Sequence, residues 1–221
     1  MILRLILPFL LFASVGAAVP LQAPTSAAGD KPSIRYRFEN DRFLISRIEL
    51  SVDGSGSGLL EWEEKGSPKP RSRAVRVSEE GLAELSNLLD RLNFLHSGEE
   101  YQSAEDHGNL GSTAIRVSQG EVSREVVFNY TRNKDADALA RLLRGIANRE
   151  MFVADLEVAM QHQPLETPAA LATLAQEHAR GRIGDAVALL PLLRSIADDM
   201  SLPLIARNRA SDLAKAITKR R

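Results

Sequence analysis

The sequence predicts an α+β protein: an antiparallel sheet covered by two helices, followed by an all-helical carboxy-terminal extension. Three observations carry that reading. Apolar and polar residues alternate at period two between Ile34 and Val77, and again between Ile115 and Tyr130. The period changes to that of a helix over Leu82 to Leu92 and over Leu139 to Ile146. Beyond about Asn148 every signal is helical. Residues 33–148 therefore form the α+β domain and residues 149–221 the helical extension.

Taken in order, the chain opens with Arg4, an apolar run from Leu5 to Val15, and the small residues Gly16, Ala17 and Ala18. That three-part layout is a signal peptide, residues 1–18, with cleavage fitting after Ala17 or Ala18. The run is too short to cross a membrane, which takes about 20 apolar residues. An uncleaved amino-terminal anchor is the alternative. No cysteine follows it that a lipid could modify. Residues 19–32, rich in Pro, Ala, Ser and Thr, read as a flexible leader.

Ile34, Tyr36 and Phe38 alternate with Arg35, Arg37 and Glu39, and Ile48, Leu50 and Val52 alternate with Arg47, Glu49 and Ser51. Both are strands with one buried face. After the Asp53–Gly58 loop, Leu60 and Trp62 continue a third strand. A Gly/Pro turn then leads to Val75 and Val77, which share a sheet face with Leu60 and Trp62. Ser78 is an N-cap for the Leu82, Leu85, Leu88, Leu89 and Leu92 stripe. Ser97 to Gly111 is a loop. A second hairpin turns at Gln119-Gly120, and a second helix carries Leu139, Leu142, Leu143 and Ile146. In the extension, Phe152, Leu156, Ala159 and Met160 make a further stripe. Thr167-Pro168 is an N-cap with proline at the first helical position. Gly181 and Gly184 bracket a turn, and Ser201-Leu202-Pro203 starts the last helix.

The stretch Asp185 to Ile217 resembles a single HEAT-type helical repeat. The likeness lies in Leu189-Leu190-Pro191-Leu192-Leu193, the Asp198-Asp199 turn, and Arg209-Ala210 followed by Leu213. It covers about 33 residues. The resemblance implies a protein-binding scaffold, although such repeats normally occur in arrays because one unit cannot bury its own face. A helical cap packed on the α+β part is the blander alternative.

Composition excludes several functions. With 28 basic and 29 acidic residues the net charge is −1, so no nucleic acid and no anionic membrane is expected as a partner beyond the signal segment. The absence of cysteine removes disulfides, thiolate metal sites and cysteine nucleophiles. The four histidines, His96, His107, His162 and His178, lack the spacing that puts two metal ligands on one helix face. His178 falls on the Leu171, Leu174 stripe and reads as a packing residue. Neither a cofactor nor a catalytic or metal-ligating residue is assigned.

The best local constellation is the loop carrying Glu99, Glu100, Tyr101, Asp106 and His107, which gathers acids, a phenol and an imidazole between a helix and a hairpin. Glu61 and Glu63 project from one strand face, roughly 6–7 Å apart by strand rise; alternation alone explains them. Asp53 to Gly58 lacks the Gly-Lys-Ser/Thr of a phosphate loop. Asn129-Tyr130-Thr131 matches a glycosylation sequon but falls on an expected strand.

The expectation is an exported non-catalytic protein, periplasmic or extracellular, that binds a protein partner through its helical tail. A binder of a small ligand or metal ion using the 99–107 loop is the alternative. A hydrolase using Glu61, Glu63, Asp106 or His107 is the second.

Overall fold

The structure is a computed structural model that describes residues 31–219. The expected signal peptide and the leader as far as residue 30 lie outside the described residues. Six strands form one antiparallel sheet: β1 (Ser33–Glu39), β2 (Ile45–Val52), β3 (Ser57–Glu64), β4 (Arg71–Arg76), β5 (Ser112–Gln119) and β6 (Val122–Phe128). Their spatial order is β4-β3-β2-β1-β5-β6. The chain thus starts in the middle of the sheet and meanders to one edge. It crosses back through α1 (Glu79–Arg91) and adds the β5–β6 hairpin on the other side of β1. The fold is α+β.

Alternation decides which face is covered. Ile34, Tyr36, Phe38, Ile48, Leu50, Leu60, Trp62, Ile115 and Val117 are all buried beneath α1 and the first half of α2 (Lys134–His162). The residues between them, Arg35, Arg37, Glu49, Glu61 and Arg116 among others, face solvent, as one-sided antiparallel sheets allow. Leu60 pairs with Arg73 and Gly58 with Val75, so Val75 shares the covered face with Leu60 and Trp62 as expected. Arg71 and Arg73 share that face too. Inward-pointing charges on an edge strand discourage pairing with another chain.

Helix α1 begins at Ser78, whose Oγ accepts from Gly81 N–H at 3.0 Å. It ends in a Schellman turn: Phe94 N–H donates to Leu89 O and Asn93 N–H to Asp90 O, with Asn93 left-handed at φ 41°. Phe94 drops into the core there.

Beyond the sheet the sequence reading needs correction. The helix expected near 139–146 and the separate stripe at 152–160 are one continuous helix, α2, of 29 residues and about 43 Å at 1.5 Å per residue. Its buried residues through Ala147 belong to the sheet core, while Val153 and Leu156 belong to a second core. Thr167 is not an N-cap. It is the first residue of α3 (Thr167–Ala179), fully buried, behind a 3-10 turn at Pro164–Glu166. The helix expected from Asp185 starts as a 3-10 turn at Ala186–Leu189 and becomes α4 (Leu190–Asp198). Tyr130 lies just past β6 rather than on it, and so does Asn129 of the sequon.

Helices α3, α4 and α5 (Leu204–Lys219) close the second core around Leu171, Leu174, Leu193, Ile196, Ala206, Ala210, Leu213 and Ile217. Close approach of two glycines seats this part on α2. A side chain on Gly145 would start 2.4 Å from Gly184 N, and one on Gly184 would start 2.6 Å from Leu142 O.

Candidate functional site

Tyr101 anchors the 99–107 loop. Tyr101 is buried, 3% exposed, against Phe94, and Arg124 lies 5.2 Å from its ring centre. Arg124 also donates to Phe94 O at 2.6 Å and to Glu99 O, pinning the loop to β6. The Glu99 carboxylate accepts from Asn133 Nδ2 at 2.9 Å. Asp106 accepts from Asn129 Nδ2, and the Asn129 side-chain oxygen accepts from Gln102 Nε2 at 3.0 Å. His107 stands edge-on to Tyr130, ring centres 4.7 Å apart. Glu100 is exposed. Asp106 and His107 are therefore brought to one end of β6 with Asn129. Glu99 is directed to the start of α2, and Tyr101 into the core. Among the described residues no three acidic or histidine side chains converge as metal ligands.

Glu61 and Glu63 do share the open sheet face. Glu63 lies 3.2 Å from Arg47 Nη1, and Glu49, the cross-strand neighbour of Glu61, lies 2.8 Å from Arg47 Nη2. The open face is a charge lattice. His178 is buried, as a packing residue on α3.

Two features were not foreseen. The first joins the two cores. The side chains of Arg149 and Asp185 are each 1% exposed, with Arg149 Nη1 2.5 Å from Asp185 Oδ2. Arg149 also donates to Asp185 O, to Arg76 O and twice to Glu150. Asp185, left-handed at φ 47°, accepts from Ser78 N–H at 2.9 Å and from Ser78 Oγ. Beside them Arg73 bridges Glu150 at 2.8 Å and Glu157 at 2.6 Å. That guanidinium holds the Glu157 carboxyl below its usual range. The start of α1, the middle of α2 and the entry to α4 are thereby tied at one point. An uncompensated charge here has no water to turn to.

The second feature is apolar and lies at the far end of the helices. Chain direction puts the α2–α3 and α4–α5 connections at the same end, and Arg209 near the start of α5 donates to Pro168 O at the start of α3. Leu165, Met200, Leu204 and Ile205 stand out there, 85%, 78%, 60% and 60% exposed. Glu166, Asp198 and Arg209, within four residues of them along the chain, are exposed as well. The side groove between α4 and α5, about 530 Å³, has Leu190, Leu193, Ala197 and Ala214 along its floor and Arg194, Asp198, Lys215 and Lys219 about it. No helix among the described residues is long and apolar enough to cross a membrane.

Models of known protein families give no match to the chain, and curated protein sequences contain no detectable relative.

Proposed function

We propose that this is an exported, non-catalytic binding protein of the cell envelope, and that the tip formed by the α2–α3 and α4–α5 connections docks a partner protein. Export rests on the signal-like run of residues 1–18. The observation that carries the docking is the exposed group Leu165, Met200, Leu204 and Ile205. Large apolar side chains gathered on a surface mark interaction sites when polar residues rim them. Burying four such side chains is worth about 6–12 kcal/mol before the costs of association.

An apolar centre with a rim of both charge signs has the anatomy of a protein interface. Glu166 and Asp198 oppose an anionic lipid surface. The α4–α5 hairpin is read as one HEAT-type unit, and its tip carries three of the four exposed apolar side chains. A ligand on the 99–107 loop is the weaker alternative, because Glu99 and Asp106 already accept hydrogen bonds from Asn133 and Asn129.

The test is photocrosslinking of the full chain in its own compartment, with the probe at Leu165, at Leu204, or at Arg141 on the sheet side of α2. The expected result is one protein captured from both tip positions and not from Arg141, with loss on Leu204→Ser/Ile205→Ser. Lipid adducts at the tip, or the same products from Arg141, would overturn the reading.

A further inference from the structure

We propose that the open face of the sheet carries a binding site for a small hydroxylated oxyanion, a phosphate or carboxylate on a sugar-like skeleton, held between Arg35 and Arg116. The proposal is independent of the docking tip. It starts from register: Arg35 on β1 pairs directly with Arg116 on β5. Like charges directly opposite one another on a sheet destabilise it.

Neither charge is closely paired within the protein. Among the described residues no carboxylate lies within 4.0 Å of Arg116, which reaches only Ser123 Oγ at 3.4 Å. The nearest carboxylate to Arg35 is Glu49 at 3.9 Å, and Glu49 is already held by Arg47 at 2.8 Å. The inward-facing and junction arginines are paired more closely. Arg71, Arg73 and Arg149 each have two carboxylates within 3.0 Å. Arg35 and Arg116 are instead left with donors that a ligand can take.

The two arginines border a concavity of about 620 Å³, within the range of small-ligand sites. Ser33, Ser51 and Ser118 line it beside Leu59. Ser33 Oγ and Ser51 Oγ make only long hydrogen bonds, 3.3 and 3.4 Å, to backbone carbonyls, leaving their oxygens able to accept from ligand hydroxyls. The carboxylate in the lining, Asp53, is turned to Ser55 and Ser57, accepting from both backbone N–H groups at 2.8 and 3.1 Å. The Ser55 hydroxyl, and after it those backbone bonds, hold its carboxyl below the ordinary range. Two guanidinium forks offer the paired donors that suit phosphate and carboxylate oxygens. Glu49 and Glu125, the latter directly opposite Arg116, border the two arginines away from the serines, and with Glu61 and Glu63 they would repel a long polyanion. The ligand is therefore small.

The experiment titrates the full chain, followed by amide NMR shifts and calorimetry, with inorganic phosphate, glucose 6-phosphate, glucuronate and uncharged glucose. The expected result is saturable binding of one or both sugar anions, glucose silent, and shifts confined to Ser33–Arg37, Ser51 and Arg116–Ser118. Saturation by one anion alone names the oxyanion. Arg35→Gln and Arg116→Gln should each weaken binding about tenfold or more, the loss of one charge-assisted bond. Both should melt no lower than the parent, because a like-charge contact is removed. Arg141→Gln should leave binding unchanged. Binding that survives in both glutamine variants, or no saturation by either sugar anion, would overturn the site. Inorganic phosphate bound as tightly as the sugar phosphate would overturn the part assigned to the serines.

Discussion

Replacing Arg149 with methionine tests whether the buried junction holds the two cores together. Methionine has nearly the length of the arginine stem and fills the same channel, so the change removes charge and five hydrogen bonds rather than volume. Asp185, 1% exposed, keeps only Ser78 as a donor, and Arg76 O loses its partner. Removing one member of a buried pair costs about 3–5 kcal/mol. For a domain of this size that is a fall in Tm of roughly 6–20 °C. The assay is thermal unfolding followed in parallel by far-ultraviolet circular dichroism and by fluorescence of Trp62, the only tryptophan. Trp62 sits on the covered face of β3 under Arg71. In the parent the two signals should coincide, because α2 runs through both cores. In Arg149→Met the helical signal should fall first. Asp185→Asn keeps the left-handed backbone that asparagine tolerates. Combined with Arg149→Met, it should cost less than the sum of the single changes, since each removes the charge the other leaves stranded. A drop in Tm below about 2 °C, or strictly additive costs, would refute the reasoning.

Other predictions concern single features. Gly145→Ala should destabilise by about 1–3 kcal/mol in urea titration, although alanine in a helix normally stabilises by about 1 kcal/mol relative to glycine; the Gly184 contact reverses the sign. A neutral or positive effect would mean that α2 and Gly184 can part cheaply. Ser78→Ala should cost more than the typical ~1 kcal/mol of a lost N-cap, because the hydroxyl also donates to Asp185; a cost near zero would count against that double role. The carboxyls of Glu64, Glu157 and Glu177 are held below their ordinary range chiefly by hydrogen bonds from Arg71, Arg73 and Arg182. A lowered folded pKa gives stability that is present above the unfolded value and lost as pH falls through the folded one. Tm should therefore decline as pH falls below about 4.5. Glu157→Gln should make that decline shallower, and a parent Tm that rises between pH 4.5 and 3 would contradict the assignment.

Much of the fold was legible because its causes are local. Alternation at Ile34–Phe38 and Ile48–Val52 marks a surface wet on one side, whatever lies beneath it. Ser78 announces a helix because its hydroxyl competes for the first free amides within three residues. The continuity of α2 was not legible. Its stripe runs Leu139, Leu142, Leu143, Ile146, Arg149, Glu150, Val153 and Leu156, and all of these are buried. Arg149 and Glu150 interrupt the apolar stripe with charge, and they are the residues the junction buries. In the 99–107 loop, proximity in sequence suggested a shared site for Tyr101, Asp106 and His107. The chain instead sends Tyr101 inward and leaves the other two at the end of β6.

What the sequence by itself determined is the class of the fold, the covered sheet face and the start of α1 at Ser78, since each follows from interactions within a few residues or from side-chain period. Only the tertiary structure decided that Arg149 meets Asp185 36 positions away, that Arg35 stands opposite Arg116, and that Arg209 of α5 reaches Pro168 at the start of α3. Those pairings depend on register and on the path of connections, which period leaves open. Both proposed sites are made of such pairings.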